Sequence, residues 1–260
     1  LLEALADTLP EVRQAAAGAL GQQTPPAALP ALAARLGDTP GQPAVALALA
    51  RYGLLARPLL DTALRQGTTE ESRWAARALG ASRLAEALPL LQAALDDGRT
   101  PVRAAAARAL GELSRPDAAS SLLDSLRLDP EPSVRHAAAV ALGQLGIAEA
   151  SPVLRAGLAE PYAEIRNACR QALIQLAAPP SEELLEIAEE VAAGRWARLE
   201  QRGEAARELL EVALQSAGLD AESAARRVGA AQTLGRLQPK GSFAALAARL
   251  QDPHPRVRSA

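Results

Sequence analysis

The chain is 260 residues long, 49% apolar but only 2% aromatic, with 28 basic and 30 acidic side chains and a net charge of −2. That balance gives no general attraction to a phosphate backbone, and a single cysteine, Cys169, excludes an intrachain disulfide framework and fits a reducing compartment. No run approaches the roughly 18 apolar residues of a membrane span, and "LLEALADTLPEVRQ" has no basic stretch ahead of an apolar one, so a soluble, cytoplasmic protein is expected.

Alanine and leucine carry the apolar content; both are strong helix formers, while Val, Ile and Thr are sparse. An all-α chain follows. Taken in order, "EVRQAAAGALG" closes at Gly21, "LALARYG" at Gly53, "SRWAARALG" at Gly80, "PVRAAAARALG" at Gly111 and "SVRHAAAVALG" at Gly143. "EIRNACRQALI" then puts Ile174 in the same place, "RWARLEQRG" gives Gly203, and "RRVGAAQTLG" gives Gly235. Successive end points differ by 32, 27, 31, 32, 31, 29 and 32 residues, which is one repeat of about 31 residues along the whole chain.

Each unit reads as two helices. In the fourth, Ala85 to Asp97 puts Leu88, Leu91 and Leu95 on one face, and after "GRTP" a second helix buries Val102, Ala105, Ala106, Ala109 and Leu110 at i, i+3, i+4, i+7, i+8 spacing. Proline before the second helix and glycine at its end match helix start and stop chemistry. The alanines permit close approach between neighbouring repeats.

Residues 1–260 are therefore expected to form a single continuous array of about eight repeats, partial at both ends, with degenerate copies over 22–53 and 175–235. Leu1, Leu5, Asp7 and Arg13 align with Leu91, Leu95, Asp97 and Arg103, so the chain opens midway through a first helix, and "RVRSA" stops early in a second. Terminal repeats of such arrays normally carry a polar cap. Neither end does, so a segment of a longer repeat protein, or a chain whose flanks are omitted, is expected.

A second regularity is an acid six positions before the arginine that opens each second helix: Asp7/Arg13, Asp97/Arg103, Asp129/Arg135, Glu160/Arg166, Glu189/Arg195 and Asp252/Arg258. A carboxylate at a turn and a guanidinium in the next helix's first turn can form charge-assisted bonds from repeat to repeat and can hold free turn amides. A structural ladder is expected, since catalysis has no use for six copies of one pair.

The "D…VR.AA..ALG" pattern, the period and the Asp/Arg register resemble HEAT repeats, especially the short HEAT-like type named after phycobilisome lyases. The resemblance implies a right-handed α-solenoid of stacked antiparallel helix pairs whose second helices line the concave side. Departures lie at Val45, which replaces the register arginine, in the short third unit, which lacks the acid, and in residues 175–220.

Chemistry-bearing motifs are scarce. His136 and His254 sit in different repeats without ligand-type neighbours, so no metal or histidine-based catalysis is expected. Cys169 holds the same stripe position as Ala106 and Ala138 and reads as a core residue. No glycine-rich nucleotide motif is present, and no cofactor is expected.

The position just after the register arginine holds Gln14, Ala46, Trp74, Ala104, His136, Asn167, Trp196 and Val228, outside the apolar stripe, and contains both tryptophans of the chain. Large aromatics outside a core are typical interface anchors. Trp74, His136, Asn167 and Trp196, flanked by Arg77, Arg108 and Arg170 about one turn on, are therefore the expected partner-binding residues; gap filling in irregular repeats is the competing role for the tryptophans. The expected function is a non-enzymatic scaffold that binds a partner protein or peptide. The alternatives implied by the resemblance are a phycobilin lyase-like enzyme subunit and a DNA-binding HEAT-like protein.

Overall fold

The computed structural model describes residues 1–37, 42–214, 221–237 and 252. Among them every regular element is helical: α1 Pro10–Gln23, α2 Leu29–Ala33, α3 Gln42–Arg51, α4 Arg57–Gln66, α5 Thr69–Ser82, α6 Leu88–Ala94, α7 Thr100–Leu113 and α8 Ala119–Leu128. There follow α9 Pro132–Leu145, α10 Ser151–Gly157, α11 Ala163–Gln175, α12 Glu182–Ala192, α13 Trp196–Arg202, α14 Arg207–Leu214 and α15 Ala221–Leu237. The fold class is all-α, built from stacked helix pairs of the α-solenoid kind.

The contacts divide the chain into two compact units, Leu1–Leu122 and Leu123–Ala260, with the boundary inside α8. In the first, the second helices α1, α3, α5 and α7 pack side by side in that order, and α2, α4 and α6 each lie against the helix that follows them. In the second, α9 packs on α11, α10 on α11, α12 on α13 and α14 on α15, while α13 lies against α15. The stretch 175–235 thus holds two helix pairs, as its length of about two periods requires.

The repeat's closing glycine plays a different part from the one its position suggests. The second helices run on past it, to Gln23, Ser82, Leu113 and Leu145, and stop where Thr24, Arg83, Ser114 and Gly146 take the left-handed conformation. Gly21, Gly80 and Gly143 are buried at helix crossings instead. A Cβ at Gly80 would stand 2.7 Å from the Ala109 Cα, at Gly21 2.7 Å from the Ala48 Cα, and at Gly143 2.9 Å from the Ala172 Cβ. Such distances are below van der Waals contact, so only glycine lets these backbones meet.

The buried stripe is wider than period counting gives. In α7 Val102, Ala106, Ala109 and Leu110 are buried as expected, joined by Ala104, Ala107 and Leu113, whereas Ala105 is only half-buried. Leu88 is likewise half-buried, and Leu90 takes a core place beside Leu91 and Leu95. Cys169 lies in the core against Gly157.

Candidate functional site: an arginine–tryptophan face on α5 and α7

The turns that link paired helices set the frame. Arg13, Arg103, Arg135 and Arg166 each donate Nη1 to the main-chain carbonyl six residues back, of Asp7 (2.7 Å), Asp97 (3.0 Å), Asp129 (3.0 Å) and Glu160 (2.8 Å), and to the next carbonyl along. The carboxylates meanwhile accept main-chain amides two residues on: Leu9 to Asp7 (2.8 Å), Arg99 to Asp97 (2.8 Å) and Glu131 to Asp129 (2.9 Å). Within a repeat, then, the acid and the arginine hold the same turn by its opposite ends.

Carboxylate and guanidinium meet between repeats. Arg135, 1% exposed, donates Nε and Nη2 to both oxygens of Glu160 (3.1 and 3.0 Å) and lies 5.7 Å from the Tyr162 ring centre. Arg227 reaches Asp252 in the same way, 25 residues on, at 2.9 and 3.5 Å. Arg258 lies outside the described residues. Glu189 and Arg195 form no such rung: both are exposed, and Arg202 instead binds the buried Glu190 (3.3 Å) and Glu186 (2.9 Å). The short α13 begins at Trp196, so Arg195 sits at its N-cap rather than in its first turn.

In the third repeat Gly67 stands where the acid would be. Its turn is held by a capping box, with Thr68 Oγ1 accepting from the Glu71 amide (3.3 Å) and Glu71 Oε2 from the Thr68 amide (2.6 Å). Arg99 reaches back from the following turn to the Gly67 carbonyl (2.9 Å) while paired with Asp97 (2.8 Å). Hydrogen bonds from that guanidinium hold the Asp97 carboxyl below the usual carboxylate range. The register arginine of this repeat, Arg73, is thereby released from the turn; it pairs with Glu70 (2.6 Å) and borders a cleft.

That cleft lies between α5 and α7 and has a volume of about 80 Å³. From α5 come Arg73, Trp74 and Arg77; from α7 come Ala105, Arg108, Ala109 and Glu112. The Arg77 guanidinium stacks over the Trp74 ring at 5.6 Å from its centre. Trp74 is half-buried, and its Nε1–H is enclosed without an acceptor among the described residues. Arg77 and Arg108 are exposed, and among the described residues no carboxylate pairs with either. The small side chains of Ala105 and Ala109 are what leave the space open.

Trp74, Arg77 and Arg108 are thus brought together. His136 is half-buried on α9, and Asn167 and Arg170 are exposed on α11, all in the second unit. Trp196 is half-buried like Trp74 but lies against a neighbouring helix: a Cβ at Gly229 of α15 would overlap its indole, so the ring packs between α13 and α15. The column shared by the two tryptophans is a margin of the core, with Ala46 and Ala104 buried and Gln14 and Asn167 exposed. Sequence reasoning missed Arg73, Arg99 and Glu112; the carboxylate one repeat on from Arg73, Asp97, is present but pairs with Arg99.

Cys169 is enclosed, and burial, reinforced by the nearby Glu160 charge, pushes its thiol well above the ordinary range. Among the described residues no cluster of His, Cys, Asp and Glu could hold a metal, and no helix is long and apolar enough to cross a membrane.

Comparison with known proteins bears on the fold. No curated protein matches the sequence. Solved structures similar to the chain include human deoxyhypusine hydroxylase in complex with glycerol, with 23% identity, 93% of this chain and 96% of that one covered, and a TM-score of 0.43. The complex of CpcE and CpcF of phycocyanin lyase from Nostoc sp. PCC7120 shares 23% identity over 95% of this chain and 90% of that one, with a TM-score of 0.41. The YibA protein of Escherichia coli shares 19% identity over 88% and 89%, with a TM-score of 0.51. The sequence pattern of HEAT repeats matches residues 1–52, 56–132 and 90–174, well over half of the chain, and the chain accordingly belongs to the HEAT-repeat family.

Proposed function

We propose that the protein is a non-enzymatic scaffold that binds a segment of a partner protein on the α5–α7 face. The observation that carries this reading is the placement of Arg77 over Trp74, with Arg108 free beside them, on a surface the fold itself does not use. An aromatic ring with a guanidinium lid, set on two rigid helices, is the residue chemistry of an interface anchor. The cleft is far below the roughly 300–1,000 Å³ of small-molecule sites, which suits a side chain of a partner better than an enclosed substrate or cofactor. Among the described residues that line it, no nucleophile is paired with a base.

The test is affinity capture on the full chain, comparing wild type with Trp74→Ala and Trp196→Phe by mass spectrometry. A partner held by wild type and Trp196→Phe and lost by Trp74→Ala is expected. Capture that survives Trp74→Ala unchanged would remove the α5–α7 face from the reading.

A further inference from the structure

We infer that the segment recognised on the α5–α7 face is acidic, presenting an Asp or Glu carboxylate to Arg77 and Arg108 with an apolar neighbour against Trp74. The inference rests on the scaffold reading and specifies its ligand.

Charge on the face is the first ground. Of the three arginines bordering the cleft, Arg73 is neutralised by Glu70 at 2.6 Å, whereas Arg77 and Arg108 are exposed with no carboxylate bound among the described residues. A guanidinium is a planar fork that matches a carboxylate in two parallel hydrogen bonds. Arg77 is further fixed by lying on the indole, so less of its side-chain freedom remains to be lost on binding.

Shape is the second ground. Ala105 and Ala109 leave a small recess beside the ring that an aliphatic side chain can enter. Glu112 borders the same cleft, one turn beyond Arg108 on α7. A carboxylate there repels any anion that runs on along the cleft, so the face suits a single carboxylate at Arg77 and Arg108 better than the continuous phosphates of a nucleic acid.

A displayed random dodecapeptide library selected on the full chain and counter-selected on Trp74→Ala tests this. Retained peptides should be enriched in Asp and Glu next to Leu, Ile, Val or Phe. A synthetic peptide from that pool should lose about tenfold in affinity with Arg77→Gln, and again with Arg108→Gln, as expected for bonds to charged groups. Its affinity should also fall with added salt. Both arginines are exposed, so these variants should keep wild-type helicity.

Trp74-dependent peptides that are neutral or basic would overturn the inference and leave the scaffold reading standing. Failure to retain any Trp74-dependent peptide would overturn both. Arg77- and Arg108-dependent binding of a mixed-sequence single-stranded oligonucleotide, tighter than that of the best peptide, would replace the peptide with nucleic acid.

Discussion

Arg135 binds both carboxylate oxygens of Glu160, 25 residues further along the chain, while its third nitrogen holds the carbonyls of Asp129 and Pro130 in its own turn. One guanidinium thus fixes two turns at once, at 1% exposure. Removing a partner of a buried, fully bonded charge costs far more than removing a surface pair. Arg135→Ala should lower unfolding free energy by about 3–5 kcal/mol, read from urea denaturation. Arg135→Met combined with Glu160→Gln should recover part of that loss, because no unpaired charge is left behind.

Two glycines to alanine should act with opposite sign. At Gly80 the new methyl meets Ala109 backbone, and overpacking of this kind costs about 1–3 kcal/mol. Gly18, in α1, has nothing within 4 Å of a built Cβ, so Gly18→Ala should stabilise by about 0.5–1 kcal/mol through helix propensity. Thermal melts of the two variants check both, and a stabilising Gly80→Ala would refute the close-crossing account.

The two tryptophans should also separate. Trp196→Ala leaves a void against Gly229 and should cost about 3–5 kcal/mol. Trp74→Ala, on an open face, should cost clearly less in the same denaturation experiment and exert its main effect on partner binding.

Asp97 should contribute to acid sensitivity. Its folded carboxyl is held below the ordinary value by hydrogen bonds from Arg99, so the stabilisation is complete above the unfolded value near pH 4 and is lost as pH falls through the folded one. Asp97→Asn should flatten the stability profile below about pH 4 and leave its shape near neutrality unchanged. An acid limb as steep as that of wild type would contradict this.

Much of the fold is legible in the sequence because the repeat restates it: the period, the paired helices and the turn acids recur often enough to outweigh any one irregular copy. What the sequence conceals is geometric. A glycine at the end of an apolar stripe suggests a terminator, yet Gly80 is a crossing point, and the αL residue that ends its helix, Arg83, is not a glycine. The acid–arginine register suggests charge-assisted bonds from repeat to repeat, and Arg135 with Glu160 forms one, but nothing in the spacing shows that the guanidinium also holds the carbonyls of its own turn. Trp74 and Trp196 occupy the same repeat column, and only the neighbour across from each, Ala105 and Ala109 or Gly229, decides between cleft and packing.

The measurement closest to the central claim uses Trp74 as its own reporter. The chain has two tryptophans, so Trp196→Phe leaves Trp74 alone, and its emission can be followed while a captured partner or selected peptide is titrated. The account predicts a saturable change in emission, abolished by Arg77→Gln together with Arg108→Gln. Binding detected by calorimetry with no change in Trp74 emission would contradict it, placing the interface away from α5 and α7.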